Sequence, residues 1–467
     1  MSGGSLSIAL SGLDAAQTGL DTVSENISNA NTPGYLKETA SFANQQTPGD
    51  PIGNGVTVTG ILQSSNSFNR QLELSANGAQ SYANQMQSLL TSAQASFNEP
   101  SSNGIAEQMN TMFNDFSNVA DTPSQPAAYL QLQASAQNVA TAINQAAANL
   151  TATYNEAASS ASTLVGTINS QLQQVASINT QLASTSLTPG ASNTLVDQQN
   201  QIIDKLASEL GVTSLPGNAG QTTLLVGGVA LVQGGQASSI SFSPGTQTEP
   251  PSLSQLATVT LQSSGTTVPV SGGTLGATLT ALNTNLPSYG DRLNSLASSL
   301  VSQINAVIPN GTTYPLFGTL VGSSFSGSST APQLNAQTLS ANPQFASTYA
   351  GLSTSQLASD GPAFQAAANL QTATSVQIPS GTAPQPTSMA QWASSVAQVG
   401  LDVQNATANA TNATNTYNQA YSAEQSVSGV SVNSQLVNLV NYQQQYQAAA
   451  KVISTVATTL QSLIQDV

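Results

Sequence analysis

From Leu6 to Ala30 the apolar residues recur every seven positions in two series, Leu6, Leu13, Leu20 and Ile27 and, offset by three, Ala9, Ala16, Val23 and Ala30. This is the a/d seam of a helix that packs lengthwise against a partner. The pattern stops at Asn31: Pro33 disfavours helical geometry at Thr32, and Gly34 supplies a permissive turn position before Tyr35. At 1.5 Å per residue the predicted helix is roughly 37 Å long. The other end of the chain repeats the pattern, with Val432, Leu439, Tyr446, Ile453, Leu460 and Val467 in one series and Leu436, Gln443, Ala450, Ala457 and Ile464 in the second. Gly429 precedes this helix as a breaker, and Ser431 or Asn433 is placed to cap it. Gln443 in the seam either sets register or is merely tolerated there.

Between the ends, helical spacing predicts further long helices. Tyr82, Met86, Leu89, Ala93 and Phe97 form one face, Ile105, Met109, Met112, Phe113 and Phe116 the next, and Leu132 to Leu182 a third. The run from Pro126 to Leu182 predicts about 80 Å of helix, a shaft rather than a globule. A helix through Leu293, Leu296, Leu300 and Ile304 and another from Trp392 to Tyr417 follow. Short apolar runs such as TTLLVGGVALV and ATVTLQ, broken by Gly, Pro and Ser, predict strands at 211–271. Residues 309–385 are rich in Gly, Ser, Thr and Pro and read as a small loop-heavy insertion. The predicted fold class is mostly α, with long antiparallel helices, terminal coiled-coil helices and an inserted β domain. The expected organisation pairs 1–34 with 428–467 as a terminal coiled-coil domain. Segments 35–210, 272–308 and 386–427 make a helical shaft, with insertions at 211–271 and 309–385.

Composition narrows the function. Of 467 residues only 5% are charged, five basic against twenty acidic, so the formal charge is −15. Such a chain has no basic surface to displace counterions from a phosphate backbone, and nucleic acid is excluded as a partner. Cysteine and histidine are both absent, removing disulfides, thiolate nucleophiles, the usual zinc ligands and the commonest general base. Pairs such as Glu107 with Asp115, or a Ser with Lys205, carry no motif that brings them together. No catalytic residue, metal ligand or cofactor site is expected. Without histidine, no side chain of ordinary pKa titrates between about pH 5 and 8, so assembly is expected to be nearly blind to pH. The first residues lack a basic segment before an apolar one, so no cleaved secretory signal is expected. No run of 18 apolar residues predicts a membrane span.

Two stretches carry a resemblance: ALSGLDAAQTGLDTVSENISNANTPGY at one end and NLVNYQQQYQAAAKVISTV at the other resemble the axial proteins of the bacterial flagellum. Within that group, FNEPSSNGIAEQMNTMFNDFSNVADTPSQPAAYLQLQASA, NTLVDQQNQIIDKLASELGV, SGGTLGATL and SGVSVNSQ resemble the hook-associated FlgK family, over most of the chain apart from about 212–270 and 311–385. Leu36, Lys37 and Glu38 depart from the usual Ser, Arg and Gln of the family. DQQN after Val196 stands where an Arg-Asp pair is common. The resemblance implies layers of the D0, D1 and D2 type, with the terminal helices innermost, and a structural, non-enzymatic role at the hook–filament junction. It also implies self-association in a ring, contact with the hook protein and with the next junction protein, and an export chaperone on the C-terminal helix. Export through the flagellar type III pathway to the extracellular flagellum, without a cleaved signal, follows from it too. The alternatives are another axial protein (the second junction protein, or a hook or rod relative) and an extracellular adhesive protein with binding loops in the insertions. On the favoured reading the assembly interface is formed by Leu6, Leu13, Leu20, Ile27, Leu436, Leu439, Tyr446, Ile453, Leu460 and Ile464. The helix-stop turn is Asn31, Pro33, Gly34 and Tyr35.

Overall fold

The structure is a computed structural model that describes residues 2–32, 34–45, 53–184, 189–249, 252–309, 311, 313–321, 324–331, 333–377 and 383–465. Pro33 and Val467 lie outside the described residues, as does the side chain of Ile464. Helix α1 (Ser2–Ser28) is followed by strands β1 (Glu38–Asn44) and β2 (Val56–Gln63) and by helices α2 (Ser67–Ser96), α3 (Ile105–Asp121), α4 (Pro126–Leu182) and α5 (Pro189–Leu210). Strands β3 (Thr213–Pro216), β4 (Thr222–Val226), β5 (Val229–Gln233), β6 (Gln236–Ala237), β7 (Ile240–Ser243), β8 (Thr246–Glu249), β9 (Ser252–Gln255) and β10 (Thr258–Leu261) come next. Then follow α6 (Gly273–Thr280), α7 (Leu286–Val307), β11 (Phe317–Val321), β12 (Ser324–Ser326) and β13 (Ser340–Ala341). Helices α8 (Phe345–Ala350) and α9 (Thr354–Ala368), strands β14 (Ser375–Val376) and β15 (Gln385–Pro386), and helices α10 (Ser388–Ser428) and α11 (Val432–Gln465) complete the order of helices and strands. The fold is mostly α with long helices and small sheets.

These helices hold together with little charge. Hydroxyls return to the carbonyl one turn back, as from Thr18 to Asp14 (3.0 Å), Thr22 to Thr18 (2.8 Å) and Ser24 to Leu20 (2.8 Å). Side-chain amides replace ion pairs at i,i+4, as between Gln17 and Asp21 (2.8 Å) or Gln145 and Asn149 (2.8 Å). Among the described residues the salt bridges are those of Arg70, to Glu73 (2.9 Å) and Asp204 (2.6 Å).

The chain forms two compact units. The first takes Met1–Gln80, Thr167–Ser239 and Ala413–Val467. In it α1 packs along α11, the β1–β2 hairpin lies against α1, and β3, β4, β5 and β6 form an antiparallel sheet. Asn179 of α4 fastens that sheet. Fully buried, its Nδ2 donates to the carbonyls of Thr222 and Gly234 (both 2.8 Å), while its Oδ1 accepts from Thr222 N (2.8 Å) and Gln199 Nε2 (2.9 Å). Helices α2 and α5 approach so closely at Gly78 that a Cβ there would sit 2.9 Å from the Ala207 carbonyl oxygen.

The second unit takes Ser81–Gly166 and Ile240–Asn412. Its core is aromatic: Phe116, Tyr129, Phe345, Tyr349 and Phe364 are fully buried, with Tyr129 stacked on Tyr349 at 5.1 Å. Trp392 stacks near Phe97 (5.5 Å) and donates its Nε1–H to Glu99 (3.0 Å). The 309–385 stretch, read from composition as loop-heavy, carries α8 and α9 and supplies Phe345, Tyr349 and Phe364 to this core. A Gly361-Pro362 pair inside α9 hides that helix from periodicity, whereas its capping box, Ser353 with Gln356, is regular. The strands of 211–271 are divided, with β3 to β6 in the first unit and β7 to β10 in the second.

Candidate assembly surface of the terminal helices

Helix α1 presents a row of small residues to its neighbours. Ala9, Ala15, Ala16, Gly19, Thr22, Val23 and Asn26 are buried, while Leu6, Leu13, Leu20 and Ile27 beside them are half-buried. The missing side chain at Gly19 admits the ring of Tyr442: a Cβ there would sit 2.6 Å from Tyr442 Cε1. Seven residues on, Asn26 Nδ2 meets Gln435 Oε1 at 3.4 Å. The pairings 19 with 442 and 26 with 435 run in opposite directions, so α1 and α11 are antiparallel.

On α11 the covered row is Gln435, Leu439, Tyr442, Tyr446, Ala449, Ile453, Val456 and Leu460, buried at Gln435 and half-buried elsewhere. The series of Leu439, Tyr446, Ile453 and Leu460 read from the sequence is in this row. Its companion is Gln435, Tyr442, Ala449 and Val456, one residue earlier than Leu436, Gln443, Ala450 and Ala457. Leu436 instead stands 47% exposed. With Val432 and Val440, one turn before and after it and both more than 40% exposed, it makes a second apolar stripe on α11; Val437 and Val452 are exposed further round that helix, and Leu10 of α1 is 47% exposed as well. Lys451 is the one charged residue of α11 between Val432 and Gln465.

The end of α1 is fixed by a joint that sequence reasoning missed. The helix stops at Ser28, and Gly34 takes φ +78°, a left-handed conformation in which a Cβ would also meet Gln201 Cγ at 2.7 Å. Asn31 and Gly34 lie in this turn and Tyr35 follows it; the Tyr35 hydroxyl donates to Asn26 Oδ1 at 3.1 Å. Asn26, with no exposed surface, accepts from Glu38 N (2.8 Å) and donates to Glu38 O (2.8 Å), so one amide ties α1 to the first residue of β1 and to Gln435 of α11. Lys37 N donates to the Ser428 carbonyl at 2.8 Å, linking the same segment to the end of α10. Asn193 Nδ2 donates to Glu38 Oε1 (2.8 Å), and Gln63 Nε2 to Asp197 Oδ1 (2.8 Å), fastening the hairpin to α5. Two of the sequence departures from the FlgK pattern, at Leu36-Lys37-Glu38 and at Asp197-Gln198-Gln199-Asn200, therefore fall at this joint. They are the signal that could have found it.

Burial changes the acid–base character here. It pushes the Asp197 carboxyl up to about 7, against the pull of its bonds from Gln63 and the Leu36 backbone. Glu73 is likewise raised by burial to about 7, with Arg70 opposing and Asp204 and Glu424 reinforcing. Glu38, Asp204 and Glu424 are raised for the same first reason. The expectation of pH-blind assembly is drawn from side chains of ordinary pKa; desolvation brings Asp197 and Glu73 into the window between pH 5 and 8.

Paired chain ends, long helices of low charge and an outward apolar stripe define a structural protein built to be covered by other protein. Comparison with known proteins specifies which kind. Residues 90–325 match the flagellar hook-associated protein FlgK helical domain, residues 6–35 a flagella basal body rod protein family and residues 421–466 the C-terminal region of the basal body rod FlgEFG proteins. The chain belongs to the FlgK family of flagellar hook-associated proteins, a family of structural components rather than enzymes. It is 27% identical over 310 residues to flagellar hook-associated protein 1 of Escherichia coli (strain K12), covering 64% of this chain and 55% of that protein. To the Bacillus subtilis (strain 168) protein of the same name it is 26% identical over 218 residues, covering 44% and 43%. The matches thus span about half the length of these relatives. The flagellar hook junction protein FlgK from Burkholderia pseudomallei shares the fold, with a TM-score of 0.61 at 17% identity over 77% of this chain and all of that one.

Proposed function

We propose that this chain is a structural subunit of the hook–filament junction, and that the terminal helices are its assembly element. The supporting observation is the double-faced α11: one face is occupied by α1, while Val432, Leu436, Val437 and Val440 remain exposed on a surface free of charge. Apolar area of this kind gains by removal from water, at about 25 cal/mol per Å². In the polymer the copies form a ring that seats on the hook protein and presents a surface to the next junction protein. The subunit performs no catalysis and takes no cofactor. It leaves the cell through the flagellar type III pathway, with a chaperone covering the C-terminal helix beforehand, and it functions in the extracellular flagellum. No helix among the described residues is long and apolar enough to cross a membrane.

Complementation tests this reading. In a strain lacking its own FlgK-family gene, the wild-type chain is expected to restore filaments and motility. Ile453→Asp with Leu460→Asp places two charges against α1, each costing several kcal/mol if it stays buried. This variant is expected to be secreted and to leave hooks bare. Normal filament numbers from it would remove the terminal helices from the mechanism.

A further inference from the structure

Beside the turn that ends α1, a cavity of about 440 Å³ opens within the first unit, walled by Arg70, Glu73, Asp204, Tyr417, Tyr421 and Glu424 together with the Gly34–Leu36 backbone segment. We propose that this cavity binds an alkylguanidinium or alkylammonium group. Its charges do not balance: three carboxylates face one guanidinium, and Arg70 is already engaged by Glu73 (2.9 Å), Asp204 (2.6 Å) and the Asn200 carbonyl (3.2 Å). Glu424 is left over. Its residue is 4% exposed, and neither carboxylate oxygen accepts a hydrogen bond. The neighbouring Ser428 hydroxyl donates instead to the Glu424 backbone carbonyl at 3.0 Å. Lys37, the nearest other cation in sequence to the turn, has its ammonium on the Val427 carbonyl (3.3 Å). The Ser428 side chain and Arg70 draw the Glu424 carboxyl toward its charged form without outweighing its burial, and a cation with N–H donors offsets that burial most directly.

The shape of the site selects the class of cation. Among the described residues no three acidic groups converge closely enough to hold a metal ion, so the ligand must spread its charge over a larger head group. Tyr417 and Tyr421 line one wall, their ring centroids 5.8 Å apart and planes tilted by 33°. Aromatic faces beside carboxylates favour planar or alkylated nitrogen cations. Burial raises Glu73 to about 7 and raises Glu424 as well, and a bound cation favours the ionised form of both. Affinity should therefore rise with pH between about 5 and 8.

Agmatine, which carries an arginine-like head group, is the probe, titrated calorimetrically into the full-length protein. Saturable binding that strengthens from pH 5 to pH 8 is expected. Glu424→Gln should weaken it by about tenfold or more while leaving the thermal transition at or above that of the wild type. Tyr421→Ala, at a half-exposed ring, should weaken it by about threefold. No saturable binding to the wild type, or equal binding to Glu424→Gln, overturns the proposal. The source of the natural group is read separately. Inhibition of wild-type polymerisation by agmatine assigns it to a basic side chain of a neighbouring subunit, and binding without such inhibition to a soluble amine. Because the titration uses the monomer, its failure is distinct from failure of the junction role.

Discussion

Asn26→Leu removes the amide that joins α1, β1 and α11 while keeping the number and branching of its side-chain heavy atoms. Asn26 is fully buried, and its partners are Glu38 N and O at 2.8 Å each, the Tyr35 hydroxyl at 3.1 Å and Gln435 Oε1 at 3.4 Å. With leucine in its place the Glu38 amide loses its acceptor, and the Glu38 carbonyl loses a donor, in a residue only 6% exposed. A stranded buried backbone group costs about 1–3 kcal/mol, so two together give roughly 2–6 kcal/mol if neither finds water. Tyr35 is half-buried and recovers a bond to solvent, so it adds little, whereas Gln435, as buried as Glu38, loses a long contact and adds to the cost. Because the protein has two compact units, a single melting temperature would mix them; amide hydrogen exchange reads the joint directly. At about 1.4 kcal/mol per factor of ten, exchange at Glu38 and its β1 neighbours is expected to accelerate by about 30-fold or more. Exchange in α3 and α7, in the second unit, should stay unchanged. Protection at Glu38 within about threefold of wild type would show that the joint does not depend on this amide.

Two further outcomes follow. Glu73 and Asp197, each near 7 in the fold against ordinary values of 4.5 and 3.8, make the folded state bind more protons than the unfolded one in between. The first unit's stability is then greatest in acid and declines as pH rises through about 7; its exchange protection should be higher at pH 5 than at pH 8 once intrinsic rates are corrected, and Glu73→Gln with Asp197→Asn should flatten the difference. Gly78→Val drives a side chain into the Ala207 carbonyl, 2.9 Å from the position of its Cβ. It should destabilise the first unit by about 1–3 kcal/mol, measured by urea unfolding of wild type and variant.

Much of the helical frame is legible in the chain. The Pro126–Leu182 helix has the bounds its periodicity implies, because apolar residues hold one face for its whole length and proline opens it. The terminal helix was harder, since α11 is apolar on two faces. Val432, Leu436 and Val440 recur as regularly as Leu439, Tyr446 and Ile453, and a period alone does not say which row meets α1. The neighbour of Gly19 decides it, and only the fold brings Tyr442 there. The β1–β2 hairpin escaped notice because β1 is rich in Ala, Ser and Thr and the ladder shifts register between Ser41 and Phe42, although β2, VTVTGILQ, carries a strand pattern of its own. The polar joint was invisible for a different reason. In a chain dense with asparagine nothing local distinguishes Asn26 from its neighbours, and which of twenty acids are desolvated is a property of packing.

On the function proposed above, the outward face of α11 is an assembly surface separate from the inward face that holds α1. Leu436→Asp with Val440→Asp tests it without touching the inward row, since these side chains are 47% and 49% exposed. Covering the exposed half of each contributes about 1 kcal/mol, lost on substitution, and each aspartate adds several kcal/mol if it enters a dry interface. The measurement is electron microscopy of hook tips and filaments in a strain carrying this variant, paired with hydrogen exchange of the secreted monomer at Gly19 and Tyr442. Native protection in α1 and α11 together with bare hook tips is the expected result. Junctions and filaments at wild-type numbers from a normally folded variant would contradict it.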